Sequence, residues 1–236
     1  MERKITQSMD NYISVKRILL LSIPVCIIFA LSGMDFIGYY TSTADIYTRS
    51  LNNVLLGFLF TTLSLLVFPI IWIKIRWHKS LNYFGTKTGD RKSGIVIILL
   101  FLLVTPMFYF SSRDINMINT YPLTKGALSS WTFFIFYELL YVLFYYIPYE
   151  FFFRGVLQSG LSKIWNKWQS IIFVTLLTTV LHITKPVSEI VAAAFAGLFI
   201  GYIAEKTGSW YYGFIIHIIV GILTDVFCGL NFLGVL

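Results

Sequence analysis

Charge is what this sequence has least of. Only 12% of its 236 residues are Asp, Glu, Lys or Arg, against about 25% in soluble domains, which excludes an ordinary water-facing surface. Its two cysteines, Cys26 and Cys228, stand far apart inside apolar segments. They exclude a disulfide framework, offer no thiol nucleophile and read as small buried side chains. No His-Glu-x-x-His pattern occurs, which excludes a zincin-type site. No Gly-x-Ser-x-Gly elbow occurs either, so a serine hydrolase has no support. Internal repeats, low-complexity tracts and long linkers are also missing, and the chain reads as a single integral membrane domain, 1–236.

What is present is apolar. Hydrophobic residues make up 57% of the chain, in runs near the ~20 residues a helix needs to cross a bilayer. The runs predict an all-α, polytopic bundle of about seven spans, roughly 18–38, 54–75, 94–110, 128–149, 168–184, 188–204 and 210–228. The fourth is expected to continue as helix through Arg154 towards Ser159. The basic flank Lys16 and Arg17 before the run Ile18–Leu31 reads as a retained signal anchor rather than a cleaved signal peptide.

The formal net charge of +7 does not mark a nucleic-acid binder, because the basic residues flank apolar runs instead of forming one patch. Placing the amino terminus in the cytoplasm puts 14 of the 18 basic residues inside. Arg49, Arg113, Lys125 and Lys185 remain outside, which is the asymmetry of the positive-inside rule. The loop from Lys74 to Lys92, with Trp77, His78, Tyr83 and Phe84 among its bases, reads as a headgroup-facing loop with interfacial aromatics. Asp35, Asp45, Asp114 and Glu189 fall near outer span ends and carry no function.

Inside the apolar runs stand Glu138, Glu150, Arg154, His182, His217 and Asp225. An ionisable group in the bilayer costs at least ~2.5–3.5 kcal/mol and therefore needs a partner or a purpose. Glu150 and Arg154, four apart, share a helix face and can pair. Glu138 lies about three turns before Tyr149, at ~16 Å by helical rise, too far to reach the same reacting atom; it and Asp225 read as structural. Glu150, His182 and His217 come from three helices that could converge in one polar chamber. A carboxylate and an imidazole can hold and deprotonate a water while a second imidazole stabilises an oxyanion. The same groups could instead ligate a divalent metal such as zinc.

These stretches resemble three motifs of the CAAX-prenyl-protease and bacteriocin-processing (CPBP, or Abi) family of intramembrane proteases, which includes lysostaphin-resistance-protein-A-like members. Tyr149-Glu150-Phe151-Phe152-Phe153-Arg154-Gly155 is similar to Glu-Glu-x-x-x-Arg followed by Gly. Thr178-Thr179-Val180-Leu181-His182 is similar to Phe-x-x-x-His, and His217-Ile218-Ile219-Val220-Gly221 to His-x-x-x-Asn. The resemblance covers about 130–228. It implies a helical bundle with a cytoplasm-facing cavity, in which the first motif's leading Glu and the second motif's His activate water and the third motif's His and Asn hold the oxyanion. Tyr149 and Gly221 depart from the pattern, at the leading Glu and the Asn.

The implied function is an endopeptidase acting on a membrane-associated peptide or protein, with Glu150, Arg154, His182 and His217 as its catalytic set. The implied location is a bacterial plasma membrane, the lipid bilayer being the constant partner. A phenol is a poor base near neutrality, its ordinary pKa being about 10, and glycine offers no donor. The two departures therefore also fit an inactive homologue that binds a cell-envelope partner or confers bacteriocin immunity. A proton-relay transporter is the weakest alternative, since no pair of broken helices in matching halves is visible.

Overall fold

The computed structural model describes residues 13–31 and 51–236. Arg3, Lys4, Asp35, Asp45 and Arg49, and the part of the first expected span beyond Leu31, lie outside the described residues. Among those described, all regular structure is helical. The helices are α1 (Val15–Leu31), α2 (Leu51–Trp77), α3 (Arg91–Phe101), α4 (Pro106–Ser111), α5 (Ile115–Thr120), α6 (Trp131–Ser159), α7 (Lys167–Val180), α8 (Val187–Thr207) and α9 (Tyr211–Phe232).

Four of them, α2, α6, α8 and α9, are long and apolar enough to cross a membrane. The molecule also exposes large apolar side chains along α1 and α3, such as Leu20, Ile27, Leu99 and Leu100. Water would not tolerate so continuous an apolar exterior, whereas hydrocarbon does.

The expected span over 94–110 is broken. After Phe101 the chain tightens into a 3-10 turn, Leu102–Val104, and restarts at Pro106, whose missing N–H and ring favour the first turn of a new helix. The expected span over 168–184 ends early, at Val180, where His182 closes it. The Nδ1 of His182 lies 2.7 Å from the carbonyl oxygen of Thr178, one of the four carbonyls a helix end leaves unpaired.

Helix α6 organises the rest, and it is not a uniform α-helix. Residues Val142–Tyr146 and Phe151–Ser159 are wound as π-helix, in which positions five apart stack. Tyr141 and Tyr146 accordingly lie face to face, with ring centroids 4.5 Å apart. Pro148 cannot donate to the carbonyl four residues back, at Phe144. Thr62 of α2 donates its hydroxyl to that carbonyl at 2.8 Å, so the defect in one helix becomes a joint to another.

Small residues set the remaining crossings, as expected where lipid supplies no hydrophobic drive between helices. At Gly201 of α8 a Cβ would fall 2.9 Å from the side-chain oxygen of Gln158, and Gln158 donates to the Gly201 carbonyl at 2.8 Å. The free cysteines Cys26 and Cys228 are both buried.

Candidate active site

The first motif lies deep in α6. The wide turn of Phe151–Ser159 buries the residues from Pro148 to Gln158. Glu150 has no exposed side chain and Arg154 only 3%. One turn apart, they form an ion pair with Arg154 Nε 3.6 Å from Glu150 Oε2. The other carboxylate oxygen, Oε1, accepts from Nδ1 of His217 on α9 at 2.7 Å. One buried carboxylate thus joins two helices and holds both an arginine and a histidine.

The two histidines are fixed in matching ways. A carbonyl can only accept, so Nδ1 of His182 carries the proton it gives to Thr178, and Nε2 is left with its lone pair in the neutral ring. For His217 the carboxylate of Glu150 fixes the proton on Nδ1, a contact that the neutral and the protonated ring satisfy equally. Both rings, with Glu150 and Arg154, line one cavity of about 810 Å³. Its walls are mainly aromatic and apolar, with the small residues Ala192, Ala193 and Ala196 of α8 on one side. The structure therefore brings Glu150, Arg154, His182 and His217 to one chamber. Glu138 and Asp225 do not line it; they are buried near each other between α6 and α9, behind Tyr146.

Tyr149 and Gly221 are the instructive positions. The Tyr149 ring is buried and stands edge-on to His217, with centroids 5.5 Å apart, while packing on Phe153 at 4.5 Å. Gly221 lies one helical turn beyond His217 on α9. A Cβ placed there would sit 1.9 Å from the hydroxyl oxygen of Tyr146 and 2.6 Å from its Cζ. The phenol of Tyr146 thus fills the space a side chain at 221 would need. Its ring is fixed by the Tyr141 stack and by His217, 4.8 Å away, and Tyr146 lines the cavity.

Sequence reasoning did not single out Tyr146, because an α-helical register hides a contact that depends on a π turn. The available signal was a glycine at i+4 from an intramembrane histidine, facing a helix rich in tyrosine.

The donor set does not fit a zinc site. Among the described residues no three His, Cys, Asp or Glu side chains are grouped to hold a metal ion, and Nδ1 of each ring is already committed. Protein zinc sites need three or four ligands.

No curated protein and no solved structure matches the chain. Residues 130–223 match the family model described as type II CAAX prenyl endopeptidase Rce1-like, a range that holds both histidines and the Glu150–Arg154 pair. Over that range the chain is similar to the CAAX-prenyl-protease family of membrane proteases.

Proposed function

We propose that the protein is an intramembrane endopeptidase that hydrolyses a peptide bond in a membrane-associated peptide or protein, within a bundle of about seven spans whose cavity faces the cytoplasm. The observation that carries this reading is the fully buried Glu150 bound to His217 at 2.7 Å in the same chamber as the independently oriented His182. A cavity of about 810 Å³ with apolar walls suits an extended peptide and an attached lipid chain, the substrate class in the family's description.

In this mechanism Nε2 of His182 takes a proton from a water, and the hydroxide attacks the carbonyl carbon. The π electrons move onto the carbonyl oxygen. Protonated His217, its Nδ1–H held by Glu150, donates Nε2–H to that oxygen, and the Tyr146 hydroxyl supplies a second donor. Collapse breaks the C–N bond, and the proton on His182 passes to the leaving nitrogen. Glu150 orients and charge-balances an imidazole, as the carboxylate of a catalytic triad does, and Arg154 holds Glu150.

Tyr146→Phe keeps the ring and removes only the donor. It is expected to lower kcat by about 10²-fold, the scale of one oxyanion donor, with KM little changed in a peptide-release assay. Gly221→Asn drives a side chain into the Tyr146 phenol and is expected to cost about 1–3 kcal/mol in thermal or urea unfolding. Adding Tyr146→Ala opens the space and should recover part of that loss, a coupling of roughly 0.5–3 kcal/mol. Strict additivity would contradict the contact.

A second reading, an inactive homologue that binds a membrane partner, draws on Tyr149 occupying the leading-acid position against His217. The triple variant Tyr149→Glu, Gly221→Asn, Tyr146→Ala tests it. Cleavage by this variant but not by wild type, together with a partner that co-purifies with wild type, would favour binding. Cleavage by wild type that is lost in His182→Ala favours the endopeptidase.

A further inference from the structure

Against Arg154 lies a second and smaller cavity of about 130 Å³, roomy enough for a small ion. Three elements build it: the loop after α2 with Lys87, the end of α6 with Arg154 and the turn that follows it with Lys163, and the end of α8 with Glu205. The loop is pinned in place. Trp210 Nε1 donates to Thr86 Oγ1 at 3.2 Å, and the Tyr212 hydroxyl donates to the Thr88 carbonyl at 2.7 Å.

The charges in it do not balance. With Arg154 already ion-paired to Glu150, the two lysines Lys87 and Lys163 face one carboxylate, Glu205, which already accepts from Gln158 Nε2 at 3.2 Å. Arg154 is 97% buried by its 3% exposure, and although Nε is ion-paired with Glu150 at 3.6 Å, neither Nε nor Nη1 has an acceptor within hydrogen-bond distance. An unmet guanidinium donor in a buried site costs several times what a made bond returns. Lys163 contributes charge rather than free donors, since Nζ already donates to the Tyr83 carbonyl at 2.8 Å and to the Ser159 carbonyl at 3.0 Å. Burial pulls its ammonium below the usual lysine range; Glu205 opposes the shift and Lys87 adds to it. The seryl hydroxyls of Ser162 and Ser209 complete the lining.

We propose that this pocket binds an oxyanion of the phosphate class, held by Arg154, Lys87 and Lys163. The anion is the missing acceptor for the buried guanidinium and relieves the repulsion between the lysines. The source is a free phosphate or the phosphate of an anionic lipid headgroup. The site stands apart from the peptide chemistry, although Arg154 lines both cavities; it does not depend on the protein being a peptidase.

The test uses the full chain purified in neutral detergent, with inorganic phosphate titrated against chloride at constant ionic strength. Wild type should show a saturable rise in melting temperature. Lys87→Glu, at an exposed position, should weaken the apparent phosphate affinity at least tenfold. Lys163→Met should do likewise, and Lys92→Glu, the same charge change outside the pocket, should leave it intact. In a second arm, nanodiscs of phosphatidylcholine are compared with discs containing phosphatidylglycerol, without free phosphate. A Lys87-dependent rise with phosphatidylglycerol, and no further rise on adding phosphate, assigns the anion to a headgroup. A response to inorganic phosphate alone assigns it to the free ion. Equal behaviour of wild type and Lys87→Glu in both arms overturns the proposal.

Discussion

Glu150→Gln is expected to lower kcat by about 10²–10³-fold and to leave KM nearly unchanged. The amide can still accept from His217 Nδ1, so the 2.7 Å contact and the packing around it survive. What it cannot do is balance the imidazolium that donates to the oxyanion. The loss therefore falls on the transition state rather than on substrate binding, which is the signature of an interaction made only there. A rise in KM with kcat retained would instead place Glu150 among substrate-binding groups. The measurement is steady-state peptide release by purified protein in proteoliposomes, with protein folding checked by its melting curve.

Arg154→Met is expected to destabilise the fold by about 3–5 kcal/mol, because it strands a buried carboxylate that loses its arginine partner. The geometry puts this change among the most damaging in the chain: neither side chain has more than 3% exposure. Arg154→Lys keeps the charge but loses the planar fork and should cost less. Unfolding in detergent, followed by tryptophan fluorescence, gives the values. A loss below about 1 kcal/mol for Arg154→Met, the size typical of exposed pairs, would contradict the burial argument.

Much of this was legible in the residues, and the parts that were not share a cause. Apolar runs and flanking bases marked the cores of α2, α6, α8 and α9, and the expected continuation of α6 to Ser159 is what the structure shows. Helix length was less legible where a local side chain or proline decides it. Pro106 breaks the third run, and His182 closes α7 by pairing with the carbonyl of Thr178.

The candidate site followed from one physical rule, that an ionisable group in the bilayer needs a reason. That rule picked out Glu150, Arg154, His182 and His217, all of which line one cavity. It also picked out Glu138 and Asp225, which lie elsewhere. What the sequence hid was the filling of the Gly221 gap by Tyr146. A π turn adds a residue to the helical repeat, so the facing partner of position 221 could not be found by counting in steps of 3.6. The unmet donors of Arg154 were hidden too, since pairing at i+4 predicts a salt bridge but not how many of its nitrogens are left over.

In the proposed reaction a water activated in this chamber cleaves a peptide bond. The most direct measurement is hydrolysis of a lipid-modified membrane peptide by the purified protein in proteoliposomes made up in ¹⁸O-water, run beside His182→Ala. Wild type is expected to place ¹⁸O in the new carboxylate, with a loss of at least about 10²-fold in His182→Ala. Equal product from the two proteins, or no product from a folded wild type, would contradict it.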